Sequence, residues 1–123
     1  MKIQWKIKRF NELLIAELYS VLQLRSEVFV VEQNCVYQDL DGKDEKALHL
    51  IGLFDGKIVA YARLFKPNDY FENASIGRVV IDQNYRDRKW GHEMMQQAIF
   101  GIQQYFGETK ITISAQLYLQ KFY

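Results

Sequence analysis

Residues 76–91 decide the fold and read Ile76-Gly77-Arg78-Val79-Val80-Ile81-Asp82-Gln83-Asn84-Tyr85-Arg86-Asp87-Arg88-Lys89-Trp90-Gly91. The beginning of this stretch is a β-branched run of the kind found in buried strands. Its middle is polar and charged, and residues 93–105 then carry apolar side chains at helical spacing. The stretch therefore predicts a strand that passes through a polar turn into a helix.

That turn is a candidate anion site. Backbone N–H groups at the start of a helix lack partners within the helix and lie at the positive end of its dipole, so they can hold a pyrophosphate. Arg86, Arg88 and Lys89 add positive charge at the same place. On electrostatics alone, a solvated surface turn that carries three cations stays open as an alternative.

The rest of the chain supplies further strands and two earlier helical segments. The dipeptide Asp55-Gly56, whose residues tolerate positive φ, predicts a hairpin between two apolar runs. In chain order, the predicted elements are a strand at 4–7, a helix capped by Asn11 that runs to about Phe29, a short helix or turn at 28–33, a loop at 34–44, strands at 46–54, 57–65 and 75–81, a helix at 93–105, a strand at 110–115 and a helix from Leu117 onward. Because a β-α-β crossover joins parallel neighbours, this order predicts an α/β (α+β) fold with a mixed, mostly antiparallel twisted sheet.

The composition favours one folded domain over residues 1–123, since 49% of the residues are hydrophobic and only one is Pro. The net charge of +1 disfavours generic nucleic-acid binding. Every apolar run is shorter than the roughly 20 residues of a membrane span. The single cysteine, Cys35, cannot form an internal disulfide and is expected to pack as an inert residue. We therefore expect a cytoplasmic protein with no membrane or nucleic-acid partner.

The turn also resembles a known cofactor signature. The coenzyme A motif of the GCN5-related N-acetyltransferase (GNAT) family is written Q/R-x-x-G-x-G/A, and Arg86 and Gly91 match two of its three specified positions. Residues 24–35 and 37–44 are similar to the ElaA-like subgroup of that family. Together with residues 76–85, the likeness covers nearly the whole chain.

The resemblance implies a GNAT-like fold and an N-acetyltransferase that uses acetyl-CoA, without a metal ion. It implies that the backbone of Val79, Val80 and Ile81 hydrogen-bonds the pantetheine arm of coenzyme A. The pyrophosphate would be held by the amides of Arg86, Asp87, Arg88, Lys89, Trp90, Gly91 and His92. The acetyl group would pass directly to a primary amine of a small molecule or peptide.

The same resemblance and the side-chain chemistry suggest catalytic candidates. Residues 116–123 fit the family pattern Asn/Gln-x-x-x-x-x-Phe-Tyr, so Tyr123 would protonate the leaving thiolate. Glu32 and His49, with Asp39 and Asp41, are candidates to bind or deprotonate the amine. Structural alternatives stay open: Tyr123 as a packing aromatic, and His49 as a buried, hydrogen-bonded histidine.

The sequence departs from the family pattern at two places, and each departure leads to a prediction. Lys89 stands where the signature has its middle glycine, which predicts weaker coenzyme A binding because a Cβ hinders close approach of the backbone to the phosphates. Family members usually continue with two more strands beyond the helix that would carry Tyr123. We expect either a truncated product or a homodimer in which a second copy covers the sheet edge.

The remaining polar residues predict structural roles. Residues 39–45 carry four carboxylates without the ligand spacing of a calcium loop, so they predict a solvated loop rather than a metal site. Arg78 and Glu27 are predicted to form structural ion pairs. The sequence has neither a P-loop nor a G-x-G-x-x-G motif, which disfavours a nucleotide-binding domain. Two functions stay open: an N-acetyltransferase, and a non-catalytic acyl-CoA-binding or protein-interaction module that retains the fold.

Overall fold

The structure is a computed structural model that describes residues 2–34 and 38–113. Its main elements are β1 (Gln4–Arg9), α1 (Ile15–Arg25), a π-helical segment (Ser26–Glu32), β2 (Leu48–Phe54), β3 (Lys57–Phe65), β4 (Ala74–Ile81), α2 (Trp90–Phe106) and β5 (Ile111–Ile113). Short 3₁₀ turns lie at Phe10–Glu12, Asp44–Lys46 and Gln83–Arg88.

The described strands form one mixed sheet in the order β1-β2-β3-β4-β5. Strands β1 to β4 are an antiparallel meander, and β5 lies parallel to β4 after the crossover through α2. The predicted sheet and its crossover are confirmed. In the β2–β3 turn Asp55 has φ 53° and Gly56 has φ 74°, as the hairpin prediction requires.

Helices cover both faces of this sheet. On one face, α2 packs through Met94, Ala98 and Ile102 against apolar residues of β2, β3 and β4. On the other face, α1 and the π-helical segment pack through Val21 and Phe29. Because strand side chains alternate between the two faces, the central strand β3 is buried on both, and only its first residue is exposed.

The start of the first helix differs from the prediction. Asn11 lies in a 3₁₀ turn and does not cap the helix, which begins at Ile15. The backbone N–H of Leu14 instead donates to Glu17 Oε1 at 2.8 Å. A carboxylate in the first turn therefore satisfies the amide of the residue that precedes the helix, as the glutamate of a capping box does.

Two other boundaries also shift. The run predicted as one helix to about Phe29 leaves α-helical geometry at Arg25 and continues as the π-helical segment. The second long helix begins at Trp90, three residues earlier than predicted. The predicted last helix, Cys35 and Tyr123 lie outside the described residues.

The prediction of a solvated loop ahead of β2 is wrong. Asp39 and Asp44 are only 6% and 8% exposed. Arg25 Nε donates to Asp39 Oδ2 at 2.9 Å, and its Nη1 donates to Asp44 Oδ1 at 2.7 Å. Arg63 donates to Asp41 Oδ2 at 2.7 Å and to Asp44 Oδ1 at 3.0 Å. The carboxylates are buried because these guanidinium groups compensate their desolvation.

This network also shifts the ionisation of its members. Burial alone would raise the pKa of Asp41, but hydrogen bonds from Arg63 and from the Lys43 amide lower it to about 2. Burial likewise opposes ionisation of Asp44, and its bonds to Arg25 and Arg63 lower its pKa despite that. The loop is therefore held by charges that persist well into the acid range.

Neither a membrane-spanning helix nor a metal cluster is found in residues 2–34 and 38–113. No helix there is long and apolar enough to cross a membrane. No group of three or more His, Cys, Asp or Glu side chains in those ranges is arranged to hold a metal ion.

Candidate functional site

The turn after β4 is tightly hydrogen-bonded from its first residue. The Asp82 amide donates to the Val59 carbonyl at 2.8 Å, which anchors the end of β4 to β3. Asp82 Oδ1 accepts from the Asn84 amide at 2.9 Å, and the Asp82 carbonyl accepts from the Tyr85 amide at 2.9 Å. The turn therefore starts from a defined position at the end of the sheet.

Lys89 connects this turn to α2 in a left-handed conformation, with φ 62° and ψ 34°. This region is favoured by glycine and costs other L-residues roughly 1 kcal/mol or more. The reversal lets α2 begin at the buried residues Trp90 and Gly91, while Lys89 and His92 are exposed. Amides of the first helical turn have no partner within the helix, so they are suited to an anion.

Arg86 ties the turn to the π-helical segment instead of facing outward. Its Nε donates to the Ile81 carbonyl at 2.9 Å. Its two terminal nitrogens form a bidentate pair with Glu32, with Nη2 donating to Oε1 at 2.8 Å. The expectation that the Arg86 side chain adds charge for a phosphate is therefore not supported, because that charge is shared with Glu32.

Arg88 lies over three aromatic rings beside the same turn. Its guanidinium carbon is 4.9 Å from the Phe54 ring centre, 5.4 Å from Tyr85 and 5.8 Å from Trp90. Tyr85 and Trp90 are stacked with their centres 5.9 Å apart. These contacts hold an exposed cation at the turn. This aromatic trio was not predicted, although Tyr85 and Trp90 lie close together in the sequence at the turn.

A cavity of about 560 Å³ adjoins the turn, between α1 with its π-helical extension and the β2–β3 hairpin. Asp82, Gln83 and Asn84 line one side of it, and Glu27 and Glu32 line the other. The predicted ion pair of Glu27 is not formed within residues 2–34 and 38–113. Its exposed carboxylate belongs to the cavity wall instead.

A β-bulge precedes the strand segment that holds Val79, Val80 and Ile81. The register pairs Tyr61 with Val80 and Arg63 with Gly77, so β4 has one residue more than β3 between these pairs. The bulge includes Arg78, whose φ is 49°. All three residues of the segment after it are buried. The segment runs directly into the turn, as predicted.

The bulge is held by the buried network, and the predicted structural role of Arg78 is confirmed. Arg78 Nε donates to Asp39 Oδ1 at 2.9 Å, and its Nη2 donates to the Asp39 carbonyl at 3.1 Å. Asp39 and Asp41 are thus engaged by arginines, which removes them from the candidates for binding an amine. The sequence carried a signal for this network, since Arg63 interrupts an otherwise apolar strand.

His49 is packed in the core, and the structure does not bring it to the cavity. The residue is fully buried. Its Nε2 lies 2.9 Å from the Asp44 carbonyl and must donate to it, so Nδ1 accepts from the Tyr61 hydroxyl at 2.6 Å. Burial lowers the pKa of His49, which keeps the ring neutral. The structural alternative therefore describes His49 better than a catalytic role.

Residues 12–123 match the family model described as Acetyltransferase (GNAT) family. The chain belongs to the GNAT family. Protein ElaA of Escherichia coli (strain K12) is 39% identical over 98% of this chain and 80% of its own length. The crystal structure of E. coli ElaA superposes with a TM-score of 0.89 at 38% identity, covering 98% of this chain and 83% of that chain. This GNAT protein is therefore of the ElaA-like subgroup.

Two further solved structures share the GNAT fold with this chain. An acyl-CoA N-acyltransferase from Pseudomonas aeruginosa is 40% identical, with a TM-score of 0.88 and coverage of 97% of this chain and 83% of that chain. A Clostridium acetobutylicum protein described as a predicted acetyltransferase with acetyl-CoA has a TM-score of 0.71 over 99% of this chain and 86% of that chain. At 12% identity, the latter shows the fold alone.

Proposed function

We propose that this GNAT protein transfers an acetyl group from acetyl-CoA to a primary amine of a small molecule or peptide by direct attack. The observation that carries the proposal is the left-handed conformation of Lys89 at the position of the signature glycine. The chain keeps the backbone path that this glycine favours, although the residue has a side chain. The likeness to the Pseudomonas acyl-CoA N-acyltransferase at 40% identity supports the same class of reaction.

In this proposal, acetyl-CoA is the co-substrate and no metal takes part. Its pyrophosphate lies against the amides of residues 86–92, beside the guanidinium of Arg88. Its pantetheine arm follows the backbone of residues 79–81. Arg86 contributes its amide, while its side chain keeps the turn joined to Glu32.

The reaction needs one bond formed, one broken and two proton movements. The amine nitrogen attacks the thioester carbonyl carbon, the C–S bond breaks, the amine loses a proton and the thiolate gains one. Tyr123 stays our proposed acid for the thiolate. Glu32 lines the cavity and stays a candidate to contact the amine, but its oxygens are shared with Arg86, so proton removal by Glu32 requires that pair to open.

Calorimetry with acetyl-CoA, followed by thiol release with a panel of amines, tests the proposal. Arg88→Gln should weaken acetyl-CoA binding by about tenfold, because a charge-assisted contact is lost. Lys110→Gln is the matched control: it removes an exposed cation next to Ile111, which pairs with Ala74 at the opposite end of β4 from the turn. Binding without thiol release would support the non-catalytic module, and no binding at all would exclude both functions.

Location and assembly are part of the proposal. We propose a cytoplasmic protein that forms a homodimer. Sedimentation velocity tests the assembly, and a monomer at micromolar concentration would contradict it.

A further inference from the structure

A small, partly enclosed cavity lies next to the β4 bulge. Its volume is about 10 Å³, which is close to the space that one water-sized group needs. It is lined by Arg63, Phe65, Tyr70, Phe71, Ser75, Ile76, Gly77 and Arg78. These residues belong to β3, β4 and the loop that joins them, so the cavity is separate from the 560 Å³ cavity at the turn.

Two buried polar atoms of this cavity's lining residues have no hydrogen-bond partner. Across residues 2–34 and 38–113, Arg63 Nε and Ser75 Oγ are the buried side-chain polar atoms left unsatisfied. Both residues are 1% exposed. Leaving such a group unpaired costs roughly 1–3 kcal/mol, so each of the two atoms is expected to have a partner that the described residues do not supply.

The ion pairs hold Arg63 in place while leaving its Nε–H unused. Arg63 Nη1 donates to Asp41 at 2.9 Å and to Asp44 at 3.0 Å, and Nη2 donates to Asp41 at 2.7 Å. An arginine Nε–H can only donate, and the Ser75 hydroxyl can donate too. A hydrogen-bond acceptor would therefore satisfy either group.

Strand register places the two donors on one face. Arg63 pairs with Gly77, and Phe65 pairs with Ser75 across β3 and β4. Directly opposite residues of an antiparallel pair point to the same side of the sheet. Gly77, which also lines the cavity, contributes no side chain beside Arg63.

The surroundings favour an uncharged acceptor over an anion. The buried network contains three arginines and three aspartates, whose charges cancel. Part of the wall is aromatic: Tyr70 stacks on Phe65 with ring centres 5.1 Å apart, and Phe71 meets Tyr70 edge-on at 4.8 Å. A carbonyl oxygen suits such a site better than a carboxylate, because no net positive charge offsets the desolvation of an anion.

Two exposed aromatic side chains line the cavity. Tyr70 and Phe71 are 37% and 38% exposed. They lie in a tight turn in which the Asn68 amide donates to the Phe71 carbonyl at 2.8 Å. A surface loop therefore supplies part of the cavity's lining.

We propose that this cavity binds the carbonyl oxygen of the amine substrate, with Arg63 Nε–H and Ser75 Oγ–H as donors. The inference rests on the proposed function. Gly77 is two residues, roughly 7 Å along the strand, from Val79, which is the thioester end of the proposed path of the pantetheine arm. An amine bound at this cavity lies away from Glu32, so in this inference Glu32 does not contact it. The substrate class is an amine next to an amide or ester carbonyl, such as the first residue of a peptide.

Paired substrates test the assignment in the full chain. Phenylalanine amide and phenethylamine differ by one carboxamide, and we expect the wild-type protein to favour the amide. Ser75→Ala should lower kcat/KM for the amide by about two- to tenfold, the worth of one hydrogen bond, and leave that for phenethylamine and the KM for acetyl-CoA unchanged. Ser75→Thr keeps the hydroxyl and should retain the preference, and exposed Ser26→Ala is the matched control.

A binding readout separates this inference from the proposed function. The Nε–H resonance of Arg63, assigned by through-bond correlation, should shift on titration with phenylalanine amide and stay in place with phenethylamine. A shift of the Arg63 resonance without thiol release from either amine would support the subsite and contradict the proposed acetyl transfer. Equal turnover of both amines, with the resonance unmoved, would show that the cavity holds a water only and would overturn the subsite.

Discussion

Replacing Lys89 tests how the turn after β4 is built. Lys89 has φ 62° and ψ 34°, where a Cβ costs roughly 1–2 kcal/mol relative to glycine. Glycine regains that energy but makes the unfolded chain more flexible, which offsets part of the gain. Lys89→Gly should therefore be about 1 kcal/mol more stable than Lys89→Ala, a rise in Tm of roughly 3 to 5 °C for a chain of this size.

The comparison with Lys89→Ala separates backbone strain from charge. Both variants lose the ammonium group, and only Lys89→Gly loses the Cβ. We expect Lys89→Ala to bind acetyl-CoA about threefold more weakly than the wild type, because an exposed cation near the phosphates is removed. Lys89→Gly should bind more tightly than Lys89→Ala, because its backbone can approach the pyrophosphate more closely.

Urea denaturation and calorimetry measure the two effects independently. If Lys89→Gly were no more stable than Lys89→Ala, the backbone at Lys89 would not be strained, and the left-handed conformation would be contradicted. If it were more stable yet bound acetyl-CoA no better than Lys89→Ala, strain would be present but the turn would not be the phosphate site.

Three further predictions concern the core and the buried charges. Gly52→Ala should lower the free energy of unfolding by about 2 kcal/mol, because the new Cβ would lie 2.7 Å from the Trp5 ring, and an unchanged urea midpoint would contradict this. Asp39→Asn should cost about 3 kcal/mol by leaving buried arginines without their carboxylate, and a loss under 1 kcal/mol would mean that the network is solvated. Burial lowers the pKa of His49 in the folded chain. As the pH falls below about 6.5, His49 is therefore protonated in the unfolded chain but stays neutral in the folded chain. The free energy of unfolding should then drop by up to about 1.4 kcal/mol per pH unit. His49→Gln should remove that slope between pH 6.5 and pH 5, and an unchanged slope in urea titrations would refute the assignment.

Local patterns predicted much of this fold. The bounds of β3, the Asp55-Gly56 hairpin and the passage from β4 through a turn into α2 all follow from residues that are close in sequence. Periodicity and turn chemistry act over a few residues, so they can be recognised without knowing the fold. The π-helical continuation of α1 was not predicted, because the same apolar spacing suits either helical form.

The candidate site was less predictable because its partners are distant in sequence. Glu32 meets Arg86 across 54 residues, and Arg78 meets Asp39 across 39. An acidic loop looks solvated until the arginines that neutralise it are known. Which cations remain for a ligand is likewise settled by pairing, and here Arg86 is engaged while Arg88 lies over aromatic rings.

The sequence by itself determined the order of the described strands, the crossover and the place of the polar turn. Tertiary structure decided the rest: the extra residue at Arg78 that lets Ile76 and Val79 both face α2, the burial of His49, and the orphaned donors of Arg63 and Ser75. The physical reason is the distance along the chain over which each interaction acts. Backbone preferences act between near neighbours, whereas strand register and the balance between desolvation and ion pairing exist only once distant segments meet.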